Sequence, residues 1–357
     1  MAKQGNVEVQ VEPEGRMTRT VEVSHASRVI FPATETTRAI TKLDMVEYVV
    51  KMADPLLGAL RDRPTTLERW PNGVQPGMHV GRGKDAAGFY QKHLPRSVPD
   101  YVQGVEITFP SGRTAIELCP TEPAVLAWCM QMGTITFHPW PVRRTQNPDS
   151  LDKPDELRID LDPQPGIPFG ETVRVALKAG NLLNALGMTG FCKTSGGRGV
   201  HIYVPITPDW SFDDVRHAAI AFGRELEQRD DGVTTQWWRE LRGDRVFVDF
   251  NQNCRDRTIA SAWSPRAREG APVSTPLTWD DLAGLSDPRE LNVLTVPSRY
   301  ENKGNPWQDM DAKRCTINPL LDLWNTNPAE MNFPPDYPKM PGEPKRVQPS
   351  RDADRPH

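Results

Sequence analysis

Apolar residues fall into two kinds of spacing along this chain. Met45, Val49, Met52 and Leu56 recur at helical intervals, with Thr41 before them as an N-cap, so the pattern predicts a helix over 42–60. Short strand-like runs follow at 65–70, 88–92, 102–109 and 113–117. A second helix is expected at 122–132, apolar at Val125, Leu126, Cys129 and Met130. The stretch 139–154 is rich in Pro, Asn and Asp and reads as a linker.

The next stretch has a clearer order. A strand at 157–162 precedes a helix at 171–186, with Val173, Ala176, Leu177, Gly180 and Leu183 at helical spacing. Strands at 191–193 and 200–206 flank a turn, 194–199, that contains Gly196, Gly197 and Gly199. A helix at 213–228, with Ser211 as its N-cap, leads to a strand at 245–250. This β-α-β-β-α-β order is that of the ferredoxin-like unit, shared by RNA-recognition domains and many polymerase palms. The fold alone decides no function.

The order divides the chain into a loosely structured, flexible segment at 1–20, an N-terminal α/β subdomain at 21–150, a palm-like subdomain at 151–300 and an extension at 301–357. A short helix is expected at 279–285. From about 328 prolines dominate, and the tail is expected to be extended or disordered.

Composition adds limits. Of 357 residues, 25% are charged and 37% hydrophobic, within the ordinary range for a globular protein. No apolar run approaches the roughly 20 residues that span a bilayer. No signal-peptide pattern opens the chain, so a cytoplasmic location and no membrane partner are expected. The five cysteines are scattered without C-x-x-C spacing, and neither zinc nor a disulfide framework is indicated. A net charge of −4 is no signature of nucleic-acid binding, although local patches set the field a phosphate meets.

Four clusters carry candidate chemistry. Asp160 and Asp162 lie on one face of their strand, with Ile159 and Leu161 on the other. Such paired carboxylates repel unless a cation lies between them, and oxygen ligands suit Mg²⁺ or Mn²⁺. The bland alternative is a solvated face followed by an Asp-Pro turn. Asp249 stands alone in the apolar strand Arg245-Val246-Phe247-Val248-Asp249-Phe250. First and last strands are neighbours in a ferredoxin-like sheet, which brings Asp249 beside the pair; an edge Asp paired with Arg is the alternative. In the turn, glycines let backbone N–H groups approach phosphate, Ser195 and Arg198 add donors, and His201 begins the next strand; a plain hairpin with a surface histidine is the alternative. Finally, Arg255, Arg257, Arg266 and Arg268 are suited to phosphate, or form a solvated basic loop.

These residues resemble the polymerase domain of bacterial DNA ligase D, in the archaeo-eukaryotic primase superfamily, from about 24 to 285. Asp160 through Pro163, the turn Thr-Ser-Gly-Gly-Arg-Gly-Val-His, Phe-Val-Asp-Phe-Asn-Gln-Asn and Ala-Pro-Val-Ser-Thr-Pro-Leu-Thr-Trp at 271–279 carry the likeness. The resemblance implies an α+β primase-polymerase fold with a ferredoxin-like palm. It implies two metal ions, Mn²⁺ preferred over Mg²⁺, on Asp160, Asp162 and Asp249. It implies nucleotide contacts from Ser195, Gly196, Arg198, His201, Gln252, Arg266 and Arg268, and a taste for ribonucleotides. It implies DNA contacts from Arg28, Lys42 (or Arg38), Arg69 and Lys92, and from Phe89 and Tyr90 stacking on the template, unless that aromatic pair packs in the core. Glu68 stands where family members can carry a lysine and would repel phosphate. Residues 73–87 are longer than usual in the family.

The implied activity is template-dependent addition of NTPs or dNTPs to primer 3′ ends, in gap filling, end joining or excision repair. The implied partners are gapped or broken duplex DNA, Ku and a separate ATP-dependent ligase, since no Lys-x-Asp-Gly ligase nucleophile is present. A metal-dependent nuclease on the same carboxylates, a non-catalytic end-bridging module and de novo priming stay open.

Overall fold

A computed structural model describes residues 6–12, 17–81 and 86–352. Part of the N-terminal segment and part of the 73–87 stretch therefore lie outside the described residues. The N-terminal segment contributes a strand rather than only loose chain: β1 (Val7–Val11) pairs antiparallel with β2 (Arg19–Val23). A small pair, β3 (Val29–Phe31) and β4 (Ile40–Thr41), leads to the first helices.

The single helix expected over 42–60 is two. α1 (Lys42–Lys51) opens with a capping box between Thr41 and Asp44, and α2 (Ala53–Leu60) follows a break at Met52. Pro55 explains the break. It has no N–H to give the carbonyl of Lys51, and its ring clashes with that turn. Both helices still bury the predicted stripe: Met45, Val49, Met52 and Leu56 are at most 2% exposed.

The N-terminal sheet is built on β5 (Thr65–Arg69). With β6 (His79–Val80), β7 (Ala86–Gln91), β8 (Gly104–Thr108) and β9 (Thr114–Leu118), the strand order is β6-β7-β5-β9-β8. After α3 (Pro123–Gln131) comes β10 (Thr134–Pro139), paired with β5. The sequence reading passed over β10. It is buried at every position, so it lacks the alternation by which a half-buried strand is recognised. The supposed linker after it is anchored by fully buried Trp140 and Val142.

The palm follows the expected order. β11 (Glu156–Pro163), α4 (Phe169–Ala185), β12 (Phe191–Thr194), β13 (Val200–Pro205), α5 (Phe212–Arg229) and β15 (Val246–Asp249) form it, with a two-residue edge strand, β14 (Val233–Thr234), beside β15. The sheet order is β12-β13-β11-β15-β14, and β11 is antiparallel to both neighbours. That is the ferredoxin-like arrangement. Leu157, Ile159, Leu161, Val200, Ile202, Val204, Val246 and Val248 form one nearly solvent-free face under α4 and α5. Each such side chain stabilises the fold by roughly 1.5–3 kcal/mol.

The opposite face is polar and turned towards the N-terminal subdomain. Buried Arg63 bridges Asp155 and Glu156, Arg158 Nη1 donates to Pro139 O at 2.8 Å, and Ser261 N donates to Phe137 O at 2.9 Å. Beyond the palm come α6 (Trp279–Ala283), α7 (Val296–Lys303), α8 (Asn318–Thr326) and the four-residue α9 (Pro349–Asp352).

The tail, expected to be extended or disordered from about 328, is described as far as residue 352. The segment is extended, but it is strapped to α5. Arg216, fully buried, donates to Glu330, to Met331 O and to Asn332 O, and its guanidinium lies 3.6 Å from the Phe333 ring centroid. Proline removes donors from such a segment, so its anchoring is done by its carbonyls and by donors on the palm.

Candidate active site

Strand register assembles the site. Asp160 on β11 is the direct cross-strand partner of Asp249 on β15 and of His201 on β13, and His201 is the partner of Lys193 on β12. One transverse row, Lys193-His201-Asp160-Asp249, therefore crosses four strands. Asp162 lies two residues along the same face, exposed, opposite Phe247.

The electrostatics of the row are strained in one direction. Burial first, and then Asp249 and Asp162 beside it, hold the Asp160 carboxyl well above the ordinary carboxylate range. Burial also raises Asp249, against hydrogen bonds from Gln252 Nε2 at 2.9 Å and Asn251 N at 3.0 Å. Burial and then the nearby Arg266 push Lys193 down, and burial and then Lys193 push His201 down. His201 Nε2 is 3.4 Å from Asp160 Oδ1.

The donor set fits a hard divalent cation, because it offers carboxylate oxygens gathered where their repulsion is uncompensated. Among the described residues no three His, Cys, Asp or Glu side chains form a ready-made metal cluster. A magnesium-like ion does not require one. It takes one or two carboxylates and completes its shell with substrate phosphates and water.

The glycine-rich turn lies beside this row. Gly196 has φ +73°, and a Cβ there would stand 2.4 Å from Arg266 Cγ. Arg266 Nη1 donates to Ser195 O at 2.5 Å, while its Nε is buried without a partner. A Cβ on Gly197 would come 3.0 Å from Arg268 Nη1. Arg198 and Arg268 are exposed at the lip. The turn spends some donors on itself, contrary to the simplest reading of its glycines: Gly197 N and Gly199 N donate to Ser195 Oγ at 3.2 and 3.1 Å. Gln252, expected at the nucleotide, is occupied by Asp249.

The N-terminal subdomain supplies residues that sequence reasoning missed or misplaced. Glu68 does not stand in solvent to repel phosphate. It is 6% exposed, and it accepts from Trp70 Nε1 at 2.9 Å and is paired with His138 Nε2 at 3.0 Å. His138, unnoticed in the sequence, lies in β10. Arg266 lies close enough to lower the Glu68 pKa after those two partners. Tyr90 meets His138 edge-on at 5.5 Å. Arg242 is a further addition, buried and close enough to Asp249 and Asp162 to be influenced by both. Only its position, a few residues before the β15 aspartate, was a signal.

Phe89 and Tyr90 are 43% and 55% exposed, so neither is core. They do not share a face. Tyr90 pairs with Glu68, whereas Phe89 pairs with Arg69, whose guanidinium lies 5.4 Å from the Phe89 ring. The basic residues expected at DNA are engaged within the fold. Arg28 Nη1 donates to Pro71 O at 3.0 Å, and Lys42 Nζ to Ser24 O at 2.9 Å. Arg38 is paired with Asp44, and Lys92 with Asp256. Arg69 donates to Met132 O and Gln91.

A ferredoxin-like palm with paired aspartates on its central and neighbouring strands, facing a glycine-rich turn and arginines, defines a nucleotidyltransferase of the primase-polymerase class. The family described as LigD, primase-polymerase domain, matches residues 41–307, and the chain belongs to it. The chain is 32% identical over 312 residues to the multifunctional non-homologous end joining protein LigD of Pseudomonas aeruginosa, covering 85% of this chain and 34% of the relative. It is 31% identical over 299 residues to the LigD repair protein of Mycobacterium tuberculosis, covering 82% and 37%. The chain thus spans about a third of the length of these relatives. The solved polymerase domain of Mycobacterium tuberculosis ligase D, in complex with DNA, superposes with a TM-score of 0.71 at 30% identity, covering 83% of this chain and 99% of that one. Among the described residues no helix is long and apolar enough to cross a membrane.

Proposed function

We propose that this protein is a template-dependent polymerase that adds NTPs or dNTPs to primer 3′ ends during gap filling and end joining or excision repair, in the nucleoid-associated cytoplasm. Asp160, Asp162 and Asp249 would hold two divalent cations, Mn²⁺ in preference to Mg²⁺. Cations there supply charge neutralisation at the attacking 3′-oxygen and at the departing pyrophosphate. Ser195, Gly196, Arg198, Arg266 and Arg268 cradle and neutralise the triphosphate, and His201 presents a ring nitrogen beside Asp160. Gln252 holds Asp249 in place. As the 3′-oxygen gives up its proton to solvent and bonds to the α-phosphorus, the bond from that phosphorus to the bridging oxygen breaks and pyrophosphate leaves.

Duplex contact rests on backbone charge rather than base edges, through the half-exposed Arg28, Arg69 and Lys92 shared with their partners in the fold, with buried Lys42 bracing Ser24 behind them and exposed Tyr90 and Phe89 available for stacking. Ku and an ATP-dependent ligase activity are the partners that such repair calls for. The observation that carries the reading is the direct pairing of Asp160 with Asp249 beside the Gly196–Arg266 contact.

Extension of a gapped, 5′-phosphorylated duplex with NTPs or dNTPs, in Mg²⁺ or Mn²⁺, tests it against an Asp160→Ala, Asp162→Ala control. Incorporation by the wild type alone is expected. Release of labelled nucleotides without extension would instead identify a nuclease. DNA binding with neither activity would identify a bridging module.

A further inference from the structure

The run Phe250-Asn251-Gln252-Asn253 follows Asp249 directly and carries three side-chain amides. Gln252 holds Asp249 through its side chain, and Asn251 holds it through its backbone N–H. Asn253 has no part in the polymerase reading so far, although it is 1% exposed. Its partner lies 95 residues back, on the strand of Asp160. Asn253 Oδ1 accepts from Arg158 N at 2.9 Å, and its Nδ2 donates to Arg158 O at 2.7 Å.

These two bonds are the pair that an opposed residue of an antiparallel strand exchanges with its neighbour. β15 supplies no such residue. β11 runs from Glu156 to Pro163, but β15 pairs only with Asp160 to Pro163. At Asp249 the chain leaves the sheet and turns into the 3₁₀ segment Phe250–Asn253. Backbone N–H and C=O groups of alternate residues point to the same side of a strand. Arg158 therefore offers its pair to the side on which Asp160 meets Asp249. Without Asn253 that pair would be buried and unmet, at a cost. An asparagine amide carries a donor and an acceptor side by side, as a peptide group does. Its Nδ2 also donates to Phe250 O at 3.3 Å, which closes the turn on itself.

The turn is thereby fastened to both strands of the carboxylate pair. At its start Asp249 is the cap, with Oδ1 taken by Asn251 N and Oδ2 by Gln252 Nε2. At its end Asn253 grips β11 two residues before Asp160. Asp160 and Asp249 are the last paired residues of their ladder, where a sheet opens most readily. We propose that Asn253 is a positioning residue that sets the spacing of the Asp160 and Asp249 carboxylates, by clamping β11 to the turn that Asp249 begins. The consequence for cations and catalysis rests on the polymerase reading; the clamp itself does not.

The first readout needs no metal. In the full chain, free of cation and nucleotide, hydrogen exchange at the Arg158 amide reports the clamp. Asn253→Ala should speed it about 10- to 100-fold, as expected for a buried backbone pair left unmet. The second readout is Mn²⁺ alone, titrated by electron paramagnetic resonance. Its apparent affinity should fall about 10- to 100-fold, as for other residues that orient metal ligands. The third is steady-state incorporation at saturating Mn²⁺. The kcat should fall up to about 100-fold, with NTP KM within about threefold, because the Ser195–Arg266 contact is untouched. Ile107→Ala is the control: it removes buried volume from the N-terminal sheet, away from the palm. Below its Tm it should match the wild type in all three.

A folded Asn253→Ala whose Arg158 amide exchanges as slowly as in the wild type overturns the proposal. So does fast exchange with Mn²⁺ affinity and kcat equal to those of Ile107→Ala, since the clamp would then be structural only. If Asn253→Ala does not fold, Asn253→Ser, whose hydroxyl leaves room for a bridging water, is judged by the same criteria. If exchange and Mn²⁺ affinity respond as expected but the wild type incorporates nothing, the polymerase reading fails and the clamp stands.

Discussion

Asp160 and Asp249 face each other as direct partners across β11 and β15, both largely removed from water and both held above the usual carboxylate range. Among the described residues neither is salt-bridged to a Lys or Arg, and the cations that act on them from further off, Lys193 and Arg266 on Asp160 and Arg242 on Asp249, do not offset their burial. Two carboxylates so placed oppose folding until a cation joins them. Millimolar Mn²⁺ or Mg²⁺ should therefore raise the wild-type Tm. Asp160→Asn should raise the metal-free Tm by about 1–3 °C, the size of shift that ~1 kcal/mol produces in a chain of this length, and should abolish most of the rise with cation. Differential scanning fluorimetry with and without EDTA measures both. A wild-type Tm indifferent to cations would remove the metal site.

The left-handed turn gives a sharper probe of the nucleotide side. Gly196 and Gly187 share a φ of +73°, but a Cβ on Gly187 meets nothing within 4 Å, whereas one on Gly196 would strike Arg266. Alanine at either position should cost about 1–2 kcal/mol of stability from the backbone alone. Only Gly196→Ala must displace Arg266 from Ser195 O. Its KM for NTP should rise at least tenfold, while Gly187→Ala keeps wild-type kinetics. Steady-state incorporation and urea unfolding of the two variants separate the effects.

The carboxylates were legible in the sequence because strand periodicity and a known strand order are enough to bring them together. Asp160 and Asp162 two residues apart share a face, and the ferredoxin-like order makes the strand of Asp249 a neighbour. Asn253 and Glu68 were illegible for the opposite reason. Their roles depend on which atoms meet them from Arg158, Trp70 and His138, and neither spacing nor residue type reports such contacts. Pro55 did carry a readable signal, since a proline inside an apolar helical pattern marks a break. The contacts of the strap were not legible because composition speaks for the isolated segment. Its order comes from Arg216 and Asn251, which supply donors from elsewhere in the fold.

Glu117 predicts a pH dependence independent of the active site. It is wholly buried, with Trp140 Nε1 at 3.1 Å and Thr66 Oγ1 at 3.4 Å, and burial pushes its carboxyl up to about 7 from 4.5. The folded chain keeps this proton over a range in which the unfolded chain has lost it. The stabilisation is present in full below pH 4.5 and is lost as pH rises through about 7, amounting to on the order of 3 kcal/mol. Glu117→Gln cannot titrate. The difference in unfolding free energy between variant and wild type should shift in the variant's favour from pH 5 to pH 7.5. Denaturant unfolding at four or five pH values checks this, and parallel curves would refute the assignment.

The strap reaches the catalytic row through one residue. Asn251 N donates to Asp249 Oδ1 at 3.0 Å, its Oδ1 accepts from Arg216 Nε at 3.0 Å, and its Nδ2 donates to Asn332 O at 2.9 Å. Arg216 thus links α5, the turn after Asp249 and the 330–332 backbone in one buried network. Removing one partner of a buried charge network leaves the other charges uncompensated, at a cost of about 3–5 kcal/mol. Arg216→Met should lose stability on that scale, with Glu330 left to His217. It should also release Asn251 and let Asp249 shift, and a displacement near 1 Å in a reacting geometry costs up to about 100-fold in rate. The expected result is a fall in kcat for incorporation in the folded fraction, measured below the variant's Tm, with NTP KM changed far less than in Gly196→Ala. A variant that loses stability but keeps kcat would show that the strap only braces α5 and does not reach Asp249.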